Sequence, residues 1–308
     1  MSNLLINEFV KLFYKKEIYI YIFISFIFVL LTCFLYKYKI DENGLLKNED
    51  NKINYIENAK ILKNSNNIED KIIGEYILKT KYNINKVNDG RGMIINFYNE
   101  FELVIVVFII IISSKIVYKE FNDKTISQLL TVPYSRGQIL FSKYIISFLS
   151  IFFIISIIFI FQLLINIIIF KNNNFNIPYV VYNYNTSNLQ LYNIFIYFII
   201  LTSNKLPLFI LICTISFFLG LILNSNASIL ITLILYIFYP ILNSFIISLN
   251  NKILNNFFTL HWDLSSYMFK ITNEKFNYIS SSLIIFISIL FFLIISFIYF
   301  NRKEIKNI

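Results

Sequence analysis

Residues 119–143, KEFNDKTISQLLTVPYSRGQILFSK, form a compact polar segment set directly between two long apolar runs. Thr125-Ile-Ser-Gln128 has the spacing of a capping box, in which the Thr side chain takes a backbone N–H and the Gln reaches back. Ile126, Leu129 and Leu130 then fall on one side of a short helix, and Pro133 ends it. Ser135-Arg-Gly-Gln138 is a second capping box and opens the helix that continues into the next apolar run. The chain is therefore expected to leave a membrane, run about two helical turns along its surface, turn at Pro133 and go back in. The helix exposes an apolar edge flanked by Glu120, Lys124 and Arg136.

The rest of the chain fits that frame. Of its 308 residues 57% are apolar and six are Gly, and the apolar residues come in blocks too long for a soluble core. Six blocks are long enough to span: 18–36, about 101–118, 144–170, 206–223, 227–249 and 279–300. At 1.5 Å per residue each covers roughly 25–40 Å, against a hydrocarbon core of about 30 Å. The second has an uncharged centre of only 103–114, with Lys115 at one end and Glu100 and Glu102 at the other. A shorter run, 193–203, precedes the fourth. Lys205 and Pro207 predict a break there, capped by Ser203 or Asn204, with the short piece lying at the outer interface or dipping in and returning.

The net charge of +9 comes with no nucleic-acid-binding signature and suits membrane flanks. Lys11, Lys15, Lys16, Lys115, Lys119, Lys124, Arg136, Lys143, Arg302, Lys303 and Lys306 gather on one side. The short loops opposite hold Lys171, Lys205, Lys252, Lys270 and Lys275. Both termini are expected in the cytosol, in the cell membrane, with no cleavable signal peptide. Residues 1–17 read as a leading amphipathic helix, with Leu5, Phe9, Leu12 and Phe13 on one face. Residues 37–99 form a large extracytoplasmic loop, as a small domain or a hairpin, with helical spacing over Ile68, Ile72, Ile73, Tyr76 and Ile77.

The chemistry of the chain is sparse. Cys33 and Cys213 lie in apolar runs and read as buried packing residues. His261 and Asp263 flank Trp262, but one His and one Asp fall short of a metal site, and no hydrolase constellation accompanies them. Gln162 and Asn166 share a face of the third span. They line either a translocation path or an interhelical contact, as does Asn243 near Pro240 in the fifth. No GxxxxGK[ST] phosphate loop occurs, so no nucleotide or metal cofactor is expected on this chain, and it does not read as an enzyme.

The segment 119–143 resembles the connection between the second and third spans in permease subunits of type-2 ATP-binding-cassette (ABC) exporters. Glu120, Thr125, Leu129, Leu130, Pro133, Ser135, Arg136 and Lys143 match that pattern in order, and Lys124 stands where the family usually has Gly. The start NEFVKLFYKKEIYI, the outer HWDLSSYMF and the tail FNRKEIKNI are similar as well, so the resemblance covers nearly the whole chain. It implies a single permease domain over 1–308: an all-α integral membrane protein of six transmembrane helices, with a cytosolic coupling helix between the second and third and a large outer loop after the first. A separate ATPase subunit carrying ATP and Mg would receive Glu120, Thr125, Ile126, Leu129, Leu130, Pro133, Ser135 and Arg136. A second permease copy or paralogue would complete the pore within membrane lipid. The alternatives are an ATP-independent secondary transporter or channel, a membrane-embedded processing enzyme, and a membrane-anchored sensor or immunity protein.

Overall fold

The computed structural model describes residues 2–14, 16–42, 52–65, 68–80, 90–122, 134–170, 175, 178–183, 188–249, 251, 254–265, 267 and 277–302. Among these, ten α-helices follow in order: α1 Ser2–Tyr14, α2 Lys16–Glu42, α3 Lys52–Lys63, α4 Ile68–Thr80, α5 Gly90–Ile95, α6 Phe97–Asn122, α7 Arg136–Ile169, α8 Ile194–Ile222, α9 Ser225–Ser248 and α10 Tyr278–Arg302. Six of them, α2 and α6 to α10, are long and apolar enough to cross a membrane, the make-up of a multi-pass membrane protein. Each contains one of the six apolar blocks.

Among the described residues there are also two strands. Strands β1 (Tyr179–Asn183) and β2 (Asn188–Tyr192) form an antiparallel hairpin, with Tyr179 opposite Tyr192 and Asn183 opposite Asn188. The described chain is otherwise helical, as expected of an all-α membrane protein, and this hairpin is a small addition to it. Val180, Val181 and the tyrosines favour a pleated surface, and that signal is present in the sequence.

The expected break at 203–207 is corrected: α8 runs unbroken from Ile194 to Ile222 with Pro207 inside it. Its cap is Asn193, whose side chain accepts from the Phe195 N–H at 3.0 Å. Lys205 does not stop the helix because two carboxylates meet it there. Pro207 costs one backbone hydrogen bond, a loss that neighbouring helices and side chains can offset in a packed span. At 29 residues α8 is about 43 Å long, longer than the hydrocarbon is thick. Its first turns meet the hairpin, where Tyr197 stands edge-on to Tyr179 at 4.7 Å.

Helices α6 and α8 form the centre of the bundle. Phe97, Tyr98 and Phe101 on α6 are buried with Phe198 on α8, and Phe198 stacks on Phe159 of α7 at 3.9 Å. Toward the other end small residues bring α6 and α8 together. Ser216 donates to the Ile110 carbonyl at 2.9 Å, and one turn on, a Cβ at Gly220 would stand 2.6 Å from the Ser114 carbonyl oxygen. Gly220→Ala is therefore expected to lower the thermal stability of the detergent-solubilised protein, by about 1–3 kcal/mol. In an uncrowded helix the same change stabilises by about 1 kcal/mol, so a gain in stability would show that the two helices are not in contact there.

Within the 37–99 region, α3 and α4 pack as a helical hairpin. Ala59 and Ile77 are buried between them, and a Cβ at Gly74 would meet the Ala59 carbonyl oxygen at 2.6 Å. The leading helix is shorter than 1–17, since α2 already begins at Lys16.

Candidate functional site

Two layers of buried charge mark the ends of the bundle, both anchored on α6. The first lies at the root of the 119–143 connection. Thr125, Ile126, Leu129, Leu130 and Pro133 fall outside the described residues, but both flanks of that stretch are well defined. On the far flank Ser135 caps α7 as expected. Its hydroxyl accepts from the Gln138 N–H at 3.2 Å, and the Gln138 side chain accepts from the Ser135 N–H at 3.0 Å. Arg136 donates to the Asn301 carbonyl at 3.3 Å, joining the start of α7 to the end of α10.

On the near flank Glu120 is taken up inside the chain. Lys143, with its side chain only 1% exposed, pairs with Glu120 and with Glu8 of α1, the latter at 3.0 Å. Lys11 closes the cluster, 3.1 Å from Glu8 and 3.4 Å from Glu120. The two carboxylates and two ammonium groups sum to zero, which is how charge is tolerated at such burial. Burial pushes the Glu8 carboxyl up, but Lys143 and Lys11 together outweigh it and hold the group below the usual carboxylate range. Alongside, Glu17 of α2 pairs with Lys115 at 3.0 Å and Lys119 at 3.6 Å. One end of α6 is thus tied to α1, α2 and α7 together.

An apolar face of Leu5, Phe9, Leu12 and Phe13 leaves Glu8 elsewhere on α1 by sequence. In the structure Leu4, Glu8 and Leu12 are the buried stripe, at i, i+4 and i+8, while Ile6, Phe9 and Val10 are exposed. No local pattern marks Glu8 as a buried partner, because Lys143 lies 135 residues away.

The second layer centres on Lys205. Its ammonium lies 2.7 Å from Glu102 of α6 and 2.6 Å from Asp263, in the connection between α9 and α10. All four carboxylate oxygens have donors. The second Glu102 oxygen accepts from the Tyr236 hydroxyl of α9 at 3.0 Å. The second Asp263 oxygen accepts from the Ser265 N–H at 2.9 Å and the Ser265 hydroxyl at 2.6 Å. Trp262 is buried beside them, stacked on Tyr239 at 5.2 Å. Glu102 was expected at the outer surface with Glu100. Glu100 is exposed, whereas Glu102 faces Lys205. An isolated charge near the middle of 30 apolar residues was the available signal for this cluster.

Gln162 and Asn166 are both buried and donate to the backbone of α5, to the Met93 carbonyl at 2.7 Å and the Gly90 carbonyl at 3.2 Å. Asn243 donates to the Thr259 carbonyl at 2.9 Å, joining α9 to the 3-10 turn Phe258–His261. In each case the amide secures a short helical element to a long helix. His261 donates from Nε2 to the Asn255 carbonyl at 2.8 Å, since a carbonyl can only accept. Its Nδ1 then accepts from the Ser281 hydroxyl at 2.8 Å, which is itself 2.7 Å from the Tyr267 hydroxyl. Burial lowers the His261 pKa, against the Asn255 hydrogen bond, so the ring is neutral at pH 7. Among the described residues no group of three His, Cys, Asp or Glu is placed to hold a metal ion.

No curated protein and no solved structure matches this chain. A family model does match, over residues 54–306, from within α3 to beyond the end of α10; it takes in the Lys205 layer and, of the first layer, Lys115, Lys119, Glu120 and Lys143 but not Glu8, Lys11 or Glu17. The protein belongs to the DUF2705 family, described as proteins of unknown function.

Proposed function

We propose that the protein is the permease subunit of an ATP-driven exporter of the type-2 ABC class. It lies in the cell membrane with both termini cytosolic. A separate ATPase subunit seats on Thr125, Ile126, Leu129 and Leu130, and a second permease copy or paralogue completes the pore. The observation that carries this reading is the set of bonds at the two flanks of the connection. Glu120 before it and Lys143 beyond it are bonded to each other and to α1, while Arg136 is bonded to the end of α10. A push on a segment held this way passes directly into α6, α7, α10 and the leading helix. A segment loosely tethered at its ends would absorb the displacement instead.

The second layer favours one rival. Ionisable groups within a span are what a secondary transporter would use. They sit near the start of α6, however, and Glu102 and Asp263 have all their oxygens occupied by donors within the chain. That arrangement suits a fixed brace better than a carrier site.

Affinity purification of the full chain from its native host decides between these readings. An ATPase carrying a phosphate loop is expected to co-purify, and Leu129→Asp with Leu130→Asp is expected to remove it while the permease stays folded. Retention of the ATPase and of ATP-dependent transport by that double variant would overturn the coupling assignment.

A further inference from the structure

A narrow apolar groove, open along one side, lies between the α1–α2 junction, α6 and α7. Leu12, Ile22, Phe108, Ile112 and Ile157 are among its walls. Two hydroxyls also touch it. That of Ser25 is turned onto its own helix, donating to the Ile22 carbonyl at 2.7 Å. That of Tyr21 lies at the charged end, 3.5 Å from Glu17 and 3.4 Å from Lys115. The interior of the groove therefore asks nothing polar of an occupant.

Its long direction follows α2 and α6. On α2 the walls run from Ile18 to Ser25, a rise of about 11 Å. On α6 they run from Phe108 to Ile112, and Lys115 and Lys119 come one and two turns further on. The groove thus ends against Glu17, Lys115 and Lys119, where two cations meet one carboxylate. Both lysine side chains are partly open, at 32% and 42% exposed, so each can take a further anionic ligand.

We propose that this groove holds an acyl chain of an anionic phospholipid, with the lipid phosphate on Lys115 and Lys119. A hydrocarbon chain needs no hydrogen-bond partner, and the walls offer none. An inserted extended polypeptide segment would leave its backbone N–H and C=O groups unpaired there. The excess positive charge at one end selects an anionic headgroup over a zwitterionic one. This inference goes beyond the transport reading and needs no ATPase, so its failure leaves the coupling experiment untouched.

The test is native mass spectrometry of the full chain in mild detergent, given equal amounts of phosphatidylglycerol and phosphatidylcholine. Wild type is expected to retain one phosphatidylglycerol in preference to phosphatidylcholine, by about fivefold or more for each lysine engaged. Lys115→Gln with Lys119→Gln should bring the two lipids to parity. Ile22→Trp and, separately, Ile157→Trp fill the groove from opposite walls, and each should abolish the retained lipid. Thermal midpoints taken alongside identify a variant that has merely unfolded, and the other wall then serves. Equal retention of the two lipids by wild type would overturn the proposal. So would a retained phosphatidylglycerol in a folded groove-filling variant.

Discussion

Lys205→Met is expected to destabilise the protein by about 3–5 kcal/mol, the largest single-residue effect anticipated here. The change keeps the length and apolar stem of the side chain and removes only the cation. Glu102 and Asp263 would then face each other across the gap with hydroxyl and amide donors alone. Each carboxylate would hold a charge that burial opposes and no ammonium offsets. The measurement is thermal unfolding of the purified protein in detergent. Adding Glu102→Gln and Asp263→Asn to Lys205→Met should recover most of the loss, because neutral amides keep the shapes and can still hydrogen-bond. Failure of that recovery, or a Lys205→Met midpoint equal to wild type, would show that the pairing does not hold α6, α8 and the α9–α10 connection together.

Lys143→Met acts at the opposite end of α6 and is expected to cost about 3 kcal/mol. Glu8 and Glu120 would keep Lys11 but lose the ammonium they share, so α1 should lose much of its hold on α7. The readout is amide hydrogen exchange across residues 2–14, which should speed up while α8 and α9 keep their protection. The pH dependence gives a second check. Glu8 has its pKa lowered on folding, so its contribution is present at neutral pH and is lost as pH falls through that lowered value. Without Lys143 the desolvation of Glu8 is less well opposed, its pKa rises, and the loosening of α1 should begin at higher pH than in wild type. Unchanged exchange in α1 would remove the network from the account of how the connection is anchored.

What could be read from the sequence divides by distance along the chain. The six apolar blocks and the Ser135–Gln138 capping box depend on neighbours within a few residues, and the structure reproduces them. The start of α8 did not follow from local pattern. Lys205 and Pro207 each argue for a stop by local rules, and what overrides them is Glu102, 103 residues before Lys205, and Asp263, 58 residues after it. Glu8 was misplaced for the same reason. Gln162 and Asn166 were legible as a polar pair on one face, but their acceptors are carbonyls of α5, which no side-chain pattern announces. The hairpin β1–β2 is different, since the tyrosines and valines of Tyr179–Asn183 are a local signal for a strand.

The two charge layers also restrict how α6 can move. Glu102 and Glu120 are 18 residues apart on one continuous helix, which sets their ionic clusters about 27 Å apart. Neither cluster can slide along α6, because each is bonded to at least two other elements. A tilt or shift of α6 has to carry α1 and α7 with it at one end and α8, α9 and the α9–α10 connection at the other, or break those bonds.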